Sequence, residues 1–293
     1  MSVLAATSPD YPSVARGCAD LTELADAVIP CCACPRLVAW RSYVAEHPAP
    51  GFTSADYWSK PLPGFGDPHA PIIVIGLAPG AHGSNRTSRM FTGDKSGDYL
   101  FGSLFRVGLA SAPVAISADD GLLLTAVRLT APVRCVPPEN RPTAEERRRC
   151  GPFLEREFEL VKPQVVVALG GFGWNAVCLT LAEQGWAIPK PRPKFSHGAE
   201  VQMTRLDGRA VTQSIRGERA DIADASYQFR GSSATSSPVE TLERPDGADP
   251  QTITLLGCYH PSPHNTYTGR LTPEMLDTVF TRAKQLAGLT HSG

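Results

Sequence analysis

The sequence predicts an α/β fold, a three-layer α/β/α sandwich with a mostly parallel central sheet. Short unbroken apolar runs, such as the run at 72–76, are typical of strands buried on both faces of a parallel sheet. These runs alternate with segments of helical apolar spacing. A glycine-rich loop directly follows the first run, and ligands of open α/β sheets bind beyond the carboxyl ends of the strands. A binding site is therefore expected where strands end at Gly76 and Leu169.

The individual elements are predicted in chain order from apolar spacing and its breaks. Helical spacing between about 19 and 47, interrupted at Pro30, predicts two helices that meet at a group of cysteines. Strands are predicted at 72–76, about 123–133, 165–169 and 252–258, and helices at about 97–110, 143–161, 174–183 and 272–287. The segment from about 207 to 249 lacks apolar periodicity, which predicts a flexible insertion within a single domain at 1–293.

The composition fits a chain that buries a full core, since 42% of its 293 residues are hydrophobic. Its start lacks the features of an export signal, and no apolar run is long enough to span a bilayer. We therefore expect a cytoplasmic protein without a membrane partner. A net charge of −1 neither supports nor excludes DNA as a partner, because a small basic face is compatible with a neutral chain.

Eight cysteines in such a chain point to metal binding or burial, because the cytosol keeps thiols reduced. Cys31 and Cys34 form a C-x-x-C pair, in which Cys32 can replace either member, and Cys135 and Cys150 form a looser pair. Four thiolates suit zinc and an iron-sulfur cubane equally well, and unligated buried thiols are the alternative. Apolar surroundings predict core positions for the other three, Cys18, Cys178 and Cys258.

The loop after the first predicted strand supplies flexible backbone and polar side chains. Its glycines, Gly76, Gly80 and Gly83, allow main-chain N–H groups to approach an anion. Phe91 is a candidate stacking platform for a flat ring, with a core position as the alternative. Asp94 is a candidate carboxylate, although its place before a predicted helix also fits a simple N-cap. The other polar side chains of this loop are His82, Asn85, Arg86 and Arg89.

A second loop, at 260–270, follows the predicted strand at 252–258. Pro261 and Pro263 stiffen its backbone. An isolated histidine is usually structural, whereas one on a rigid loop at the carboxyl end of a strand is a catalytic candidate. His260 is therefore a candidate catalytic residue that faces the glycine-rich loop.

Several separate motifs in one order resemble those of the family 5, or type B, iron-sulfur uracil-DNA glycosylases. They are C-x-x-C-P at Cys31, the segments GLAPGAHGSNRT and MFTGD, the two later cysteines, and HPSPHNTYTGRLT. The resemblance runs from about Cys31 to Ala287, with the segment at 207–249 as an insertion. It implies a monofunctional DNA repair enzyme that holds a flipped uracil between the two loops. It also implies a structural [4Fe-4S] cluster on four ligands, Cys31, Cys34, Cys135 and Cys150.

The implied reaction hydrolyses the N-glycosidic bond and leaves an abasic site in DNA. Cleavage makes the sugar cation-like and the departing base anionic. His260 is assigned the hydrogen bond to the uracil carbonyl. The first loop has Leu77 and Ala78 where better-known branches of the family carry an acidic residue. Asp94 is therefore assigned either to orient the water or to stabilise the sugar cation.

Base recognition is assigned mainly to backbone, because Gly170 and Gly171 stand where other branches have an asparagine. The backbone positions assigned to the substrate are Gly76, Ala78, Gly80 and Gly171. A pocket without an amide is predicted to accept deaminated purines such as hypoxanthine as well. The groups assigned to DNA phosphates are His82, Asn85, Ser262, Asn265, Thr268 and Arg270. Pro263, His264 or Tyr267 is predicted to wedge into the base stack. We expect a monomer.

Two other functions stay open on the sequence alone. A non-catalytic nucleic-acid-binding protein with zinc or a cluster would share the cysteines but would not need Asp94 with His260. A redox enzyme ranks last: the segment at 171–176 approaches a dinucleotide-binding pattern, but the acidic residue expected about 20 positions later is missing.

Overall fold

A single mixed sheet lies at the centre of the computed structural model, which describes residues 4–205 and 251–289. Its strands in the described residues are β1 (Phe65–Gly66), β2 (Ile72–Ile75), β3 (Val127–Thr130), β4 (Val165–Leu169), β5 (Glu200–Arg205) and β6 (Gln251–Cys258). The spatial order is β1-β3-β2-β4-β6-β5. The four inner strands run parallel, whereas β1 and β5 pair antiparallel at the two edges. The predicted mostly parallel sheet is confirmed.

The helices begin at residues that suit the first turn of a helix. Asp20, Asp94, Thr143 and Thr272 each accept a hydrogen bond from the backbone of the helix they precede. The α-helices of the described residues are α1 (Leu21–Val28), α2 (Pro35–Glu46), α3 (Ser84–Thr87), α4 (Lys95–Arg106), α5 (Ala144–Val161), α6 (Gly171–Glu183), α7 (Pro263–Tyr267) and α8 (Pro273–Leu286). In this part of the chain, every helix is too short or too polar to cross a membrane.

Helices cover both faces of the sheet. Ile72 and Val74 pack with apolar side chains of α4 and α8 on one face, and Ile73 and Ile75 pack with those of α5 and α6 on the other. This alternation within β2 follows from the period of two of a strand. The predicted three-layer α/β/α sandwich is confirmed. A third apolar cluster joins α1 to Phe153 of α5 and includes Cys31.

Some elements differ from the sequence prediction. The strand predicted at about 123–133 is limited to Val127–Thr130, because Ala126 adopts a left-handed backbone with φ of 60° just before it. The edge strand β5 was missed because it is polar, with Met203 as its one buried side chain. The short α7 lies inside the predicted loop at 260–270. The predicted insertion at about 207–249 lies outside the described residues.

Candidate active site

A cleft of about 610 Å³ lies at the carboxyl ends of β2 and β6, the edge where the sequence predicts a binding site. β4 lies between these two strands, and its Ala168 pairs with Ile75 on one side and Gly257 on the other. The glycine-rich loop and the loop of His260 therefore meet. The predicted site residues that line the cleft are Gly76, Ala78, Gly80, His82, Phe91, Asp94, His260 and Ser262.

The two carboxylate oxygens of Asp94 have different surroundings. Oδ1 accepts a hydrogen bond from the Gly97 N–H at 2.9 Å and caps α4. Oδ2 lies against Gly80 and Gly83, where an added Cβ would come within 2.8 and 2.1 Å of it. Burial raises the pKa of Asp94, while hydrogen bonds from the start of α4 oppose the rise. Asp94 is thus an N-cap that also lines the cleft.

Phe91 lies between the end of β2 and His260. A Cβ on Gly76 would be 2.6 Å from the ring, so only glycine leaves room for Phe91 at this strand end. The Phe91 and His260 ring centroids are 6.4 Å apart, with an angle of 33° between the planes. Phe91 has a φ of 56°, which is uncommon for a residue with a side chain. The ring packs at the edge of the core and forms a wall of the cleft, while its role as a stacking platform stays a prediction.

His260 is held at the cleft by its backbone. The Asn265 side chain donates a hydrogen bond from Nδ2 to the His260 carbonyl oxygen at 2.8 Å. Burial lowers the pKa of His260 to about 4, so the imidazole is neutral at pH 7. A neutral imidazole has one N–H donor and one acceptor nitrogen. Asn265 therefore supports the catalytic candidate, a role that the sequence did not indicate.

His82 is an exposed wall residue with a buried partner. The Tyr57 hydroxyl lies 2.7 Å from His82 Nδ1 and accepts a hydrogen bond from the Ala49 N–H at 3.0 Å. Because Tyr57 already accepts this bond, we assign its proton to His82 Nδ1, which leaves Nε2 as an N–H donor. The pair gives the cleft rim an oriented donor.

The structure corrects some predicted contacts. The Asn85 side chain is fully buried, with 0% exposure, and its Oδ1 has no hydrogen-bond partner among the described residues. It therefore does not reach a surface phosphate. Gly171 begins α6 beside Phe195 and is not among the residues that line the cleft. Thr268 and Arg270 are exposed beyond the cleft, so their contacts with DNA phosphates stay predictions. Arg270 stacks on Tyr259 with Cζ 4.5 Å from the ring centroid.

Asn140 lines the cleft and was missed by the sequence analysis. It lies in a short 3-10 turn, Pro138–Asn140, between β3 and α5, and has a φ of 54°. Asparagine is enriched at such left-handed positions, so the sequence alone suggests a turn residue. The premise that the site lacks a side-chain amide is therefore wrong.

Four cysteines line one small internal cavity: Cys31, Cys34, Cys135 and Cys150. None of the eight cysteines forms a disulfide. Burial raises the pKa of Cys31 to about 11 and that of Cys135 to about 12. As predicted, Cys18, Cys178 and Cys258 are buried in the apolar clusters.

Three arginines approach these thiols. The Arg41 guanidinium lies 3.2 Å from the sulfur of Cys135 and 3.2 Å from that of Cys32. Arg149 contacts the Cys34 side chain and donates to the Ala33 carbonyl oxygen at 2.9 Å. Arg134 lines the same cavity and is 2% exposed, and its Nε and Nη1 have no partner among the described residues. The cavity thus combines four thiols with three nearby guanidinium groups, of which Arg134 and Arg149 also pair with Glu157 and Glu145.

The third nitrogen of the Arg134 guanidinium, Nη2, donates a hydrogen bond to a buried carboxylate. Glu157 of α5 pairs with Arg128 at 2.6 Å and with Arg134, and it accepts a hydrogen bond from Thr130 at 2.6 Å. Burial raises the pKa of Glu157, but the two guanidinium groups overcome this effect and lower it to about 2. This network ties α5 to the strand end that leads to Cys135.

Comparisons with known proteins agree on one family. The model of the uracil DNA glycosylase superfamily matches residues 63–284. A type-5 uracil-DNA glycosylase of Mycobacterium bovis is 42% identical over 278 residues, which cover 94% of this chain and 85% of that protein. One of Thermus thermophilus is 41% identical over 260 residues, covering 88% and 94%. A type-4 enzyme of Archaeoglobus fulgidus is 35% identical over 112 residues, covering 38% and 49%. The range of the family model includes Asp94 and His260 but begins after Cys31 and Cys34.

Proposed function

This chain belongs to the uracil DNA glycosylase superfamily, and we propose that it removes uracil from DNA by hydrolysing the bond between base and deoxyribose. The observation that carries the proposal is the meeting of Asp94, Phe91 and His260 in one cleft beyond the strand ends. An enzyme of this kind cannot reach the bond inside a duplex, so the nucleotide enters the cleft by flipping out of the stack. The type-5 relatives match nearly the whole chain, which supports the same substrate here.

The base is proposed to stack on Phe91 with a carbonyl oxygen towards His260. Negative charge develops on the base as the glycosidic bond breaks, so a fixed N–H donor stabilises the transition state more than the ground state. The neutral imidazole of His260 offers one such N–H donor. Removal of one donor of this type costs on the order of 10²–10³-fold in rate.

Asp94 is proposed to act on the sugar side through Oδ2. The other oxygen is fixed by Gly97, so the carboxylate has a defined direction. In the ionised form Oδ2 accepts a hydrogen bond from the attacking water and places negative charge near the cation-like sugar. The raised pKa of Asp94 makes it a better proton acceptor than an exposed aspartate.

Asn140 is proposed to contact the edge of the base. A side-chain amide offers both a donor and an acceptor, which matches the adjacent carbonyl and N–H groups of uracil. Hypoxanthine presents the same pair of groups, and the open cleft leaves room for a purine. We therefore keep hypoxanthine as a proposed second substrate, on the basis of an amide that suits both bases.

The decisive experiment measures single-turnover uracil release from duplex DNA by the Asp94→Asn and His260→Ala variants. Asn retains the N-cap of α4, so loss of activity in Asp94→Asn reports the charge and not the fold. Asp119→Asn and His69→Ala are the controls, since both residues are exposed. Unchanged rates in both site variants overturn the assignment. Undetectable uracil release by the wild type overturns the function, and DNA binding without release favours the non-catalytic alternative.

The range of bases is tested with matched duplexes that carry uracil or hypoxanthine. We expect release of both bases, and Asn140→Ala reduces both rates because one amide serves both. A wild type that releases uracil alone removes hypoxanthine from the proposal. An unchanged rate in Asn140→Ala removes the amide contact.

We also propose that the four cysteines at the internal cavity hold a [4Fe-4S] cluster in a structural role. The site fits this group on two counts. Four thiols line one small internal cavity, and thiolates are the ligands of iron-sulfur clusters. The unpaired nitrogens of Arg134, together with Arg41 and Arg149, suit a group with net negative charge. When bound, the cluster cross-links the segment before α2 to α5.

Iron and sulfide content test this proposal. We expect iron and acid-labile sulfide in the wild type and their loss in Cys31→Ser, while Cys178→Ser, a core position, retains both. Zinc in place of iron overturns it. Because Cys32 can replace Cys31, the second result that overturns it is full iron content in both Cys31→Ser and Cys135→Ser. The measurement does not depend on glycosylase activity.

A further inference from the structure

A basic segment at 189–198, here called the basic arm, is not part of the cleft. It contains Lys190, Arg192, Lys194 and His197 and no acidic residue, although the chain as a whole has a net charge of −1. Lys190, Arg192 and Lys194 alternate with prolines, and all three are exposed. Proline fixes φ and removes backbone freedom, so these charges are displayed on a stiffened segment.

The basic arm is fixed to the carboxyl edge of the sheet. The buried Trp174 donates a hydrogen bond from Nε1 to the Pro193 carbonyl oxygen at 2.9 Å. The Phe195 ring makes edge contacts with Trp174 and Tyr259, with centroids 6.0 and 6.2 Å apart. The Gly198 N–H donates to the Gly257 carbonyl oxygen of β6 at 2.8 Å. The arm is therefore anchored before any ligand binds.

Tyr259 connects the basic arm to the active-site loop. Its ring stacks with His197 at a centroid distance of 5.0 Å, and its N–H donates to His197 Nδ1 at 3.3 Å. The Arg270 guanidinium stacks on the same ring, with Cζ 4.5 Å from the ring centroid. The residue that follows Tyr259 in the chain is His260. The arm and Arg270 thus form one basic surface beside the cleft.

Among the described residues, the cations of this surface form no salt bridge with an acidic side chain. Elsewhere on the surface, Arg106, Arg156 and Arg282 each pair with a carboxylate. Within residues 4–205 and 251–289, Lys190, Lys194 and Arg270 make no salt bridge, and Arg192 donates to the Asn175 carbonyl oxygen at 2.9 Å. Cations without a salt bridge on an anchored segment favour a polyanion as partner.

We propose that the basic arm binds the phosphate backbone of duplex DNA outside the flipped nucleotide. This inference rests on the proposed action on DNA and extends the contact surface from the cleft across Tyr259 towards α6. Lysines supply charge without base-specific geometry, so the arm contributes affinity and positioning and does not read sequence. Each lysine that neutralises a phosphate on duplex DNA contributes about 0.9 to the slope of log affinity against log salt concentration.

The test compares the full-length Lys190→Gln/Lys194→Gln variant with the wild type. The probe is a duplex of about three helical turns with a central abasic-site analogue, and anisotropy gives its affinity over a series of KCl concentrations. The charge-matched control is Lys162→Gln/Arg205→Gln, because both residues are exposed and line a separate cleft at the opposite, amino-terminal edge of β4. Lys190→Arg/Lys194→Arg retains the charges and tests for rescue.

We expect the salt slope to fall by about 2 in the glutamine variant of the arm. The control and the arginine variant should keep the wild-type slope, and uracil release at saturating DNA should be unchanged in all. Equal slopes in wild type and arm variant, or an equal fall in the control, overturn the inference. A wild type that binds this DNA but releases no uracil overturns the proposed function and leaves the binding measurement valid.

Discussion

Gly83 leaves the space that Asp94 Oδ2 occupies, since a Cβ at Gly83 would lie 2.1 Å from that oxygen. Gly83→Ala is therefore expected to push the carboxylate out of place. Gly83 has φ of −98° and ψ of −106°, outside the main regions for residues with a side chain, so urea unfolding of the variant is measured beside the rate to separate lost stability from a displaced carboxylate. A shift of the carboxylate by about 1 Å is expected to lower the single-turnover rate of uracil release on the order of 10²-fold. Gly17→Ala is the control, because a Cβ there meets nothing within 4 Å. Equal rates in both variants would show that the direction of Asp94 is unimportant.

His260 makes stability depend on pH. Burial lowers its pKa from the usual 6.5 to about 4 in the folded protein, so the unfolded chain binds more protons between these values. Stability from the neutral side chain is complete above about pH 6.5 and is lost as pH falls towards 4. We expect wild type to lose about 2–3 kcal/mol more than His260→Ala between pH 7 and 4. Urea unfolding at several pH values measures this difference, and parallel curves would refute it.

Glu157 compensates two buried guanidinium groups. Glu157→Gln keeps the shape but leaves Arg128 and Arg134 without a counter-charge, so we expect a loss of about 3–5 kcal/mol in the free energy of unfolding. Glu159→Gln is the matched control on the same helix, because Glu159 forms a more exposed pair with Arg156 and should cost at most about 1 kcal/mol. Similar losses in both variants would mean that the buried network adds nothing beyond an ordinary ion pair.

Tyr57 is expected to act through His82. Tyr57→Phe removes the hydroxyl that orients the imidazole, while the Tyr57 ring stays in place. A neutral hydrogen bond contributes about 0.5–1.5 kcal/mol, so KM for DNA should rise about 2–10-fold with kcat unchanged. Tyr43→Phe, at an exposed ring, serves as the control. Nitrogen NMR of His82 adds a direct readout, since the protonated nitrogen should no longer be fixed at Nε2. A fall in kcat with constant KM would place Tyr57 in the chemistry instead.

The sequence predicted the parts of this site that follow from local pattern. The end of β2, the glycine-rich loop and the loop of His260 are each marked by a change from apolar run to turn residues, and the structure brings them to one cleft. The paired cysteines were identifiable from their spacing in the sequence, and all four line one cavity in the structure.

Contacts between distant segments were not predictable. Asn140 reaches the cleft only because β3 lies beside β2, and a residue before a helix gives no local sign of that neighbour. Asn85 is polar and belongs to a predicted loop, yet in the structure it lies in α3 with its side chain fully buried. Tyr57 and His82 are 25 positions apart and meet through the packing of a loop. Such pairs depend on tertiary geometry, which apolar periodicity does not encode.

The parallel pairing of β4 with β6 also sets an order of events during synthesis. Asp94, Phe91 and the four paired cysteines all precede α6, whereas His260 follows β6, the last strand among the described residues. A nascent chain that ends before β6 therefore contains the first active-site loop and the four cysteines but lacks His260. It also exposes the edge of β4 that β6 later covers, and an uncovered strand edge favours association with other chains. The same strand thus completes the catalytic groups and protects the growing polypeptide from misassembly.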